Sequence, residues 1–339
     1  MLKGGLVGLG RMGLTHLAIL NTHPDVRWTA VCDTTPFVLK NLQQRLGFQA
    51  FSDHKSMLKE ADVDFVVVAT PTASHADVIR AALERRLHLF VEKPLTLSGA
   101  ESRAVADAAA RAGVVTQVGY VNRFNEVFTA ARRVVERGLL GRLVHFKCDM
   151  NGRTVLHPTK VGWRSKKTEG GGCLYEFASH AVDLTTFLVG APDDVVGSRM
   201  ASIYSVAVDD AVYSTFVYRE GLTGQIAVNW SDESYRRPHN RIEIFGTAGK
   251  LIVDQQELRV YLRHDDDSGE WEKGWNVRYI TDLERPTRFY LRGNEFTLQL
   301  DHFVECVRTK AGSPVSSFET AATTDQLLER IAAESRMRG

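Results

Sequence analysis

Apolar positions in the first third of the chain come in short runs, at residues 6–7, 28–32, 65–69, 87–91 and 114–118. Between them lie segments whose apolar residues recur every three or four positions, at 12–20, 37–46, 76–83 and 100–112, the last stopped by Gly113. Near-continuous apolar runs read as strands buried on both faces, and the intervening period reads as amphipathic helix. Strand and helix alternating in this way predict a doubly wound parallel sheet covered on both sides.

After Phe124 the rhythm changes. A helix ending near Gly138 and a strand over 143–150 lead into a loop rich in Arg, Lys and Gly, then a helix over 172–189. Strand-like runs follow at 195–206, 212–218, 221–230 and 241–245, with turn residues at short spacing, as in antiparallel hairpins. Gly246 and Gly249 flank Thr247 and Ala248, a hairpin signal leading into runs at 251–253 and 258–262. Helices at 295–307 and 319–337 close the chain, and no internal repeat is evident. The fold class expected is α/β: a parallel-sheet domain over 1–122, then an α+β domain over 123–339 built on a large, mostly antiparallel open sheet. The C-terminal helices are available to pack back on the first domain. Apolar residues on the outer face of an open sheet are usually covered, so a homodimer or homotetramer through that sheet is expected.

The 339 residues exceed the usual reach of one core, which agrees with two domains. Lys and Arg number 42 against 41 acidic residues, so the net charge of +1 supplies no field for nucleic acid or anionic lipid and points to small-molecule partners. Cys32, Cys148, Cys173 and Cys306 are widely spaced without a CxxC pair, and read as small apolar core residues in a reducing compartment. Gly8, Gly10 and Arg11 interrupt the N-terminal apolar run, and no stretch approaches the ~18 apolar residues of a membrane span, so a cytoplasmic location is expected.

The chemistry begins at GLGRMG, Gly8 to Gly13, between a strand-like run and a helix. Gly8 permits a tight turn, Gly10 lets backbone approach a pyrophosphate, and Gly13 allows close packing of helix on sheet, with Arg11 and Met12 in the same turn. Asp33 ends the second strand twenty positions later, where a carboxylate accepts hydrogen bonds from both adenosine ribose hydroxyls. It would repel a 2′-phosphate, and Thr34, Thr35 and Pro36 offer no arginine to bind one, so NAD is favoured over NADP. Thr70 and Pro71 end the third long apolar run and should border the cofactor, with His75 just beyond as a helix-start residue beside it. Glu92 and Lys93 end the next run at the same crevice edge.

In the second half, GGGCLYEFASHAVDL (170–184) places Glu176, His180 and Asp183 four and three residues apart, so that all three can share one helical face. A carboxylate and a histidine at that spacing could bind a metal, but no third ligand has recognisable spacing and HExxH is absent, so no metal is expected.

Together GLGRMG, ATPTASHADV from Ala69, VEKPLT from Val91, VGYVNRF from Val118, the Gly-rich helix start and IEIFGTAGKL from Ile242 resemble the Gfo/Idh/MocA oxidoreductases over nearly the whole chain. The resemblance implies a Rossmann domain followed by a large antiparallel sheet. It implies Lys93 as the lysine that contacts the reacting hydroxyl and His180 as the acid/base. Glu176 stands where many members have aspartate, and Ala178 where glycine is common. The implied activity is NAD-dependent oxidation of a secondary hydroxyl of a sugar, sugar derivative or cyclitol, or the reverse. Two alternatives stay open: glycoside cleavage through transient oxidation, and a catalytically inactive NAD-binding regulatory protein.

Substrate contacts are expected from Lys93, Tyr120, Asn122, Arg123, Glu176 and His180, and from His157, Lys160, Trp163 and Arg164 of the basic loop. Donors suit ring hydroxyls and the indole suits a C–H face, while the positive excess also admits an acidic or phosphorylated substrate. The Asp33 reading makes a direct prediction. NAD binds more tightly than NADP, and Asp33→Ala narrows the gap. Equal or better NADP affinity in the unmodified protein would overturn it.

Overall fold

The computed structural model describes the chain except residues 38, 40, 42, 43, 45, 46, 159–161, 314, 338 and 339. Much of the helix expected over 37–46, and Lys160 of the basic loop, therefore lie outside the described residues. The chain divides into two compact units, residues 1–121 with 286–325, and residues 122–285 with 326–339. The change of rhythm after Phe124 thus marks the first crossing, and a C-terminal segment belongs to the first unit.

The first unit is built on strands β1 (Leu2–Val7), β2 (Val26–Cys32), β3 (Gln49–Phe51), β4 (Phe65–Val68), β5 (His88–Val91) and β6 (Thr116–Val118), in the order β3-β2-β1-β4-β5-β6. Every pairing is parallel. All four residues of β4 are fully buried, as expected of a central strand with helices on both faces. Their side chains alternate between two cores. Val66 and Val68 join Val78, Ile79, Val105 and Phe318 on one side. Phe65 and Val67 join Leu17, Leu20, Phe303 and Val307 on the other. Phe303 and Val307 lie on the helix Asn294–Thr309, so the segment from the far end of the sequence completes this core.

The second unit carries an eight-stranded sheet of β7 (Leu143–Asn151), β8 (Asp194–Ala201), β9 (Ala211–Val217), β10 (Thr223–Asn229), β11 (His239–Gly246), β12 (Gly249–Asp254), β13 (Glu257–Leu262) and β14 (Gly274–Tyr279). Its order is β14-β13-β12-β11-β7-β10-β9-β8, antiparallel except for β7 beside β10. The Gly246–Gly249 hairpin forms as expected. The run read as a strand over 195–206 stops at Ala201. There Asp210 gathers the amides of Ile203, Tyr204 and Ser205 on one carboxylate oxygen at 2.6–2.8 Å, offering the backbone an alternative to the ladder.

The helix expected over 172–189 begins as a π-helical turn, Leu174–Ala178, before the regular helix Ser179–Val189. Asp183 on that helix is not turned to a ligand. Its carboxylate takes a bidentate pair from Arg123, Nε to Oδ2 at 2.8 Å and Nη2 to Oδ1 at 2.7 Å, with both side chains buried. Arg123 also lies over the Phe187 ring at 5.2 Å. This corrects the expectation that Arg123 contacts substrate: all its charge is answered internally. Tyr120 is likewise fully buried, in the core of the first unit, rather than presented to a ligand.

Removing one partner of a buried ion pair strands the other charge, which typically costs about 3–5 kcal/mol. Arg123→Met should therefore lower stability by about that amount in urea denaturation, and Arg123→Met combined with Asp183→Leu should recover most of it. A raised KM with unchanged stability would restore Arg123 to the substrate site.

Candidate active site

In the first unit the glycine-rich turn joins β1 to the helix Arg11–Asn21. Gly8 has φ +97°, and a Cβ there would lie 2.5 Å from the Ala69 carbonyl oxygen at the end of β4. A Cβ on Gly13 would lie 1.9 Å from the Gly8 carbonyl oxygen, so helix and turn meet only because both residues are glycine. Gly10 is the opposite case, with open space around its Cβ position. It caps the helix without a side-chain acceptor, and the first turn carries no acidic residue. Amides left unsatisfied at a helix start, beside a position open to backbone approach, suit a dinucleotide pyrophosphate.

Asp33 sits at the end of β2, its carboxylate accepting from the amides of Leu9 at 2.6 Å and Thr35 at 2.8 Å. A carboxylate has about four lone-pair sites, which leaves capacity for a ribose diol. Asp33 thus also fastens the glycine-rich turn, a role the sequence did not reveal. Across the crevice the Thr70 hydroxyl oxygen is buried with no partner among the described residues, and Pro71 is exposed beside it. These features fit NAD: when bound, the cofactor would be held by the amides after Gly10, by Asp33 and by the Thr70 segment.

His75 differs from its expected place as a cofactor contact. Its ring is fully buried, with Nε2 3.0 Å from the Thr70 carbonyl and Nδ1 3.1 and 3.2 Å from those of Pro94 and Leu95. Burial holds this imidazole below its usual range, against the pull of those carbonyls. Its geometry is that of a brace between the turn after β4 and the turn after β5. Glu92 also turns inward, and its Oε1 lies 2.6 Å from Nε2 of His16. Lys93, partly exposed, follows at the crevice edge.

Two residues of this unit escaped the sequence reading. His16 is fully buried on the helix that follows the glycine-rich turn. A lone histidine within the apolar stretch GLTHLAIL was the available signal. Arg292, with φ +69°, brings its Nη1 to 3.5 Å from the Met12 sulfur and lies over the Phe296 ring. Burial and the nearby Arg11 both push its pKa down. It comes from a segment nearly 280 residues away from the turn, which no local pattern could pair with it.

In the second unit the three glycines explain the start of the Glu176 helix. A Cβ on Gly171 would lie 2.3 Å from the Arg164 carbonyl oxygen, and one on Gly172 2.6 Å from Oδ1 of Asp209. Asp209 accepts from the Leu174 amide at 2.6 Å, and burial raises its carboxyl pKa. This approach draws the loop onto the helix: Arg164 Nε lies 3.6 Å from Oε1 of Glu176, and the Arg164 guanidinium covers the Trp163 ring at 4.7 Å. Trp163, Arg164 and Glu176 are therefore gathered, with His180 partly exposed at the start of the regular helix. Asn122 is partly exposed and His157 exposed.

All four cysteines are free and buried, with Cys32 pushed up to about 12 by burial and nearby carboxylates. Among the described residues no group of three or more His, Cys, Asp or Glu is arranged to hold a metal, and no helix is long and apolar enough to cross a membrane.

Comparison with known proteins agrees with these features. A family model described as "Oxidoreductase family, NAD-binding Rossmann fold" matches residues 2–120, and one described as "GFO/IDH/MocA C-terminal domain" matches residues 128–252. The scyllo-inositol 2-dehydrogenase (NAD(+)) of Bacillus subtilis is 28% identical over 313 residues, covering 89% of this chain and 85% of that protein. The levoglucosan dehydrogenase of Pseudarthrobacter phenanthrenivorans is 28% identical over 306 residues, covering 78% and 77%. A crystal structure of an oxidoreductase domain protein from Kribbella flavida superposes with a TM-score of 0.87 at 25% identity, covering 100% of this chain and 98% of that one. The chain belongs to the Gfo/Idh/MocA family of NAD-binding Rossmann-fold oxidoreductases.

Proposed function

We propose that the protein is an NAD-dependent dehydrogenase oxidising a secondary hydroxyl of a sugar, sugar derivative or cyclitol, or reducing the corresponding ketone. The observation that carries this reading is Lys93 at the end of β5, on the same crevice edge as the glycine-rich turn and Asp33. Relatives named for dehydrogenating inositols and levoglucosan support the substrate class.

Bound NAD supplies the hydride acceptor, C4 of its nicotinamide. Lys93 donates to the reacting hydroxyl and stabilises the alkoxide as it develops. His180 takes the hydroxyl proton as general base, and returns it in the reductive direction. Glu176 orients the substrate, with its own charge met by Arg164. Lys166 of the same loop is paired with Glu169 at 2.8 Å. The loop is thus less positive than its composition suggests, which favours a neutral polyol over an acidic or phosphorylated one. Trp163 offers a surface for the ring's C–H face.

The outer face of the second unit's sheet exposes Tyr213, Phe245, Tyr261, Trp275, Val277 and Tyr279. Exposed aromatics on an open sheet favour a partner, and in our reading that partner is another copy of the chain. A relative named 2,7-anhydro-N-acetylneuraminate hydratase, 27% identical over 272 residues, favours a second reading in which oxidation is transient. Steady NADH release during turnover supports the dehydrogenase, whereas product without net NADH supports the second reading.

The first test is an NAD-reduction screen over inositols, aldoses, anhydrosugars and uronates. On a substrate so found, His180→Ala should lower kcat by about 10²–10⁴, the usual worth of general acid–base assistance, with NAD affinity little changed. Lys93→Ala should also lower kcat, and the double variant should lose less than the product of the two losses, because both act on one hydroxyl. Near-normal kcat in both single variants, or strictly multiplicative losses, would refute this mechanism.

A further inference from the structure

A carboxylate lies inside the first unit where packing alone calls for an apolar side chain. Glu92 is only 9% exposed and His16 not at all. Nε2 of His16 lies 2.6 Å from Oε1 of Glu92, while Oε2 accepts from the backbone amide of Lys93 at 3.3 Å. The His16 and Phe90 rings meet edge to face, centroid to centroid 5.1 Å. Gly119, at the end of β6, closes over the carboxylate, since a Cβ there would lie 3.1–3.2 Å from it. Nδ1 of His16 is buried with no partner among the described residues, and Nε2 is the ring nitrogen that donates to Glu92.

We propose that Glu92, braced by His16, is a positioning residue for Lys93: its buried negative charge fixes the backbone and the ammonium of the lysine that acts on the hydroxyl. His16 stands three residues after Gly13 on the helix that opens at the cofactor turn, so one hydrogen bond ties the nucleotide-binding element to the lysine. The part concerning catalysis rests on the reading of Lys93 given above.

The electrostatics agree with the geometry. Burial by itself raises the Glu92 carboxyl, but the bond and charge of His16, followed by the charge and amide of Lys93, outweigh it and hold it below the usual carboxylate range. His75 and Arg292 also interact favourably with Glu92. The carboxylate is therefore faced by His16, His75, Lys93 and Arg292. A buried carboxylate is costly unless so answered, and this one is surrounded by groups from four separate stretches of chain.

The test is pulse acetylation of the full-length protein with acetic anhydride from pH 7 to 10, reading Lys93 by peptide mass spectrometry against Lys3 and Lys250 as internal references. Glu92→Gln preserves shape while removing the charge, and its single carbonyl oxygen keeps one of the two hydrogen bonds. Loss of that opposite charge releases the side chain it holds, so Lys93 should label about 5- to 10-fold faster at a given pH, with the reference lysines unchanged. His16→Gln keeps a donor and should label as the unmodified protein does. His16→Leu removes it and should shift toward the Glu92→Gln behaviour. If His16→Leu does not fold, Glu92→Gln decides alone. Identical Lys93 labelling in Glu92→Gln and the unmodified protein would sink the proposal. The labelling needs no substrate, so a shifted rate with no polyol oxidised would uphold the positioning role while refuting the proposed activity. On a confirmed substrate, Glu92→Gln should lower kcat about 10- to 100-fold and move its pH profile, with NAD affinity within about threefold, the pattern of lost orientation rather than lost binding.

Discussion

The first unit depends on one close approach of backbone to backbone. The Gly13 Cα and the Gly8 carbonyl lie so near that no Cβ fits between them, and Gly8 in turn lies against the carbonyl that ends β4. This contact seats the start of the helix Arg11–Asn21 over the C-terminal edge of the sheet. Three consequences follow from the seating. Amides at the helix start are aimed outward where Gly10 leaves room, Asp33 reaches the Leu9 amide, and His16 reaches Glu92 beneath Lys93. A methyl group at Gly13 would disturb all three, although Asp33 and Glu92 lie far from it in sequence.

The second unit uses the same device for another purpose. Gly171 and Gly172 bring a loop carbonyl and the Asp209 carboxylate against the start of a helix, and Asp209 then binds the Leu174 amide. The helix opens with a wide π turn, a form frequent at functional sites, and Glu176 projects from it toward Arg164. Deeper along the helix, Asp183 is occupied by Arg123. Polar residues on one helix are therefore divided between an outer end that faces the loop and an inner end that holds the unit together.

Buried polar groups recur at each support: His16 with Glu92, His75 with three carbonyls, Arg123 with Asp183, and Asp210 with the Trp230 indole and three amides. Each is held by a polar partner inside its own unit, as the cost of an unpaired buried group favours. A histidine or arginine near a functional motif thus belongs more readily to the frame than to the ligand. His75 and Arg123 show this, since their motifs drew attention to them and their side chains turned inward.

Hydrophobic period and glycine spacing are local properties, and they determined much. The parallel-sheet domain, the switch to hairpins, the glycine-rich turn, the strand ends carrying Asp33, Thr70 and Lys93, and the helix bearing Glu176 and His180 were all legible, because each rests on residues within a few positions of one another. The tertiary structure decided what depends on distant partners. It placed residues 286–325 in the first unit, paired Arg123 with Asp183, withdrew Tyr120 and His75 from the crevice, and set Arg292 beside Met12. It also revealed His16 against Glu92, the neighbour of Lys93. A side chain's direction is set by which neighbour can neutralise or bury it, and for His16, Arg123 and Arg292 those neighbours lie from about 60 to 280 residues away, beyond the reach of any sequence period.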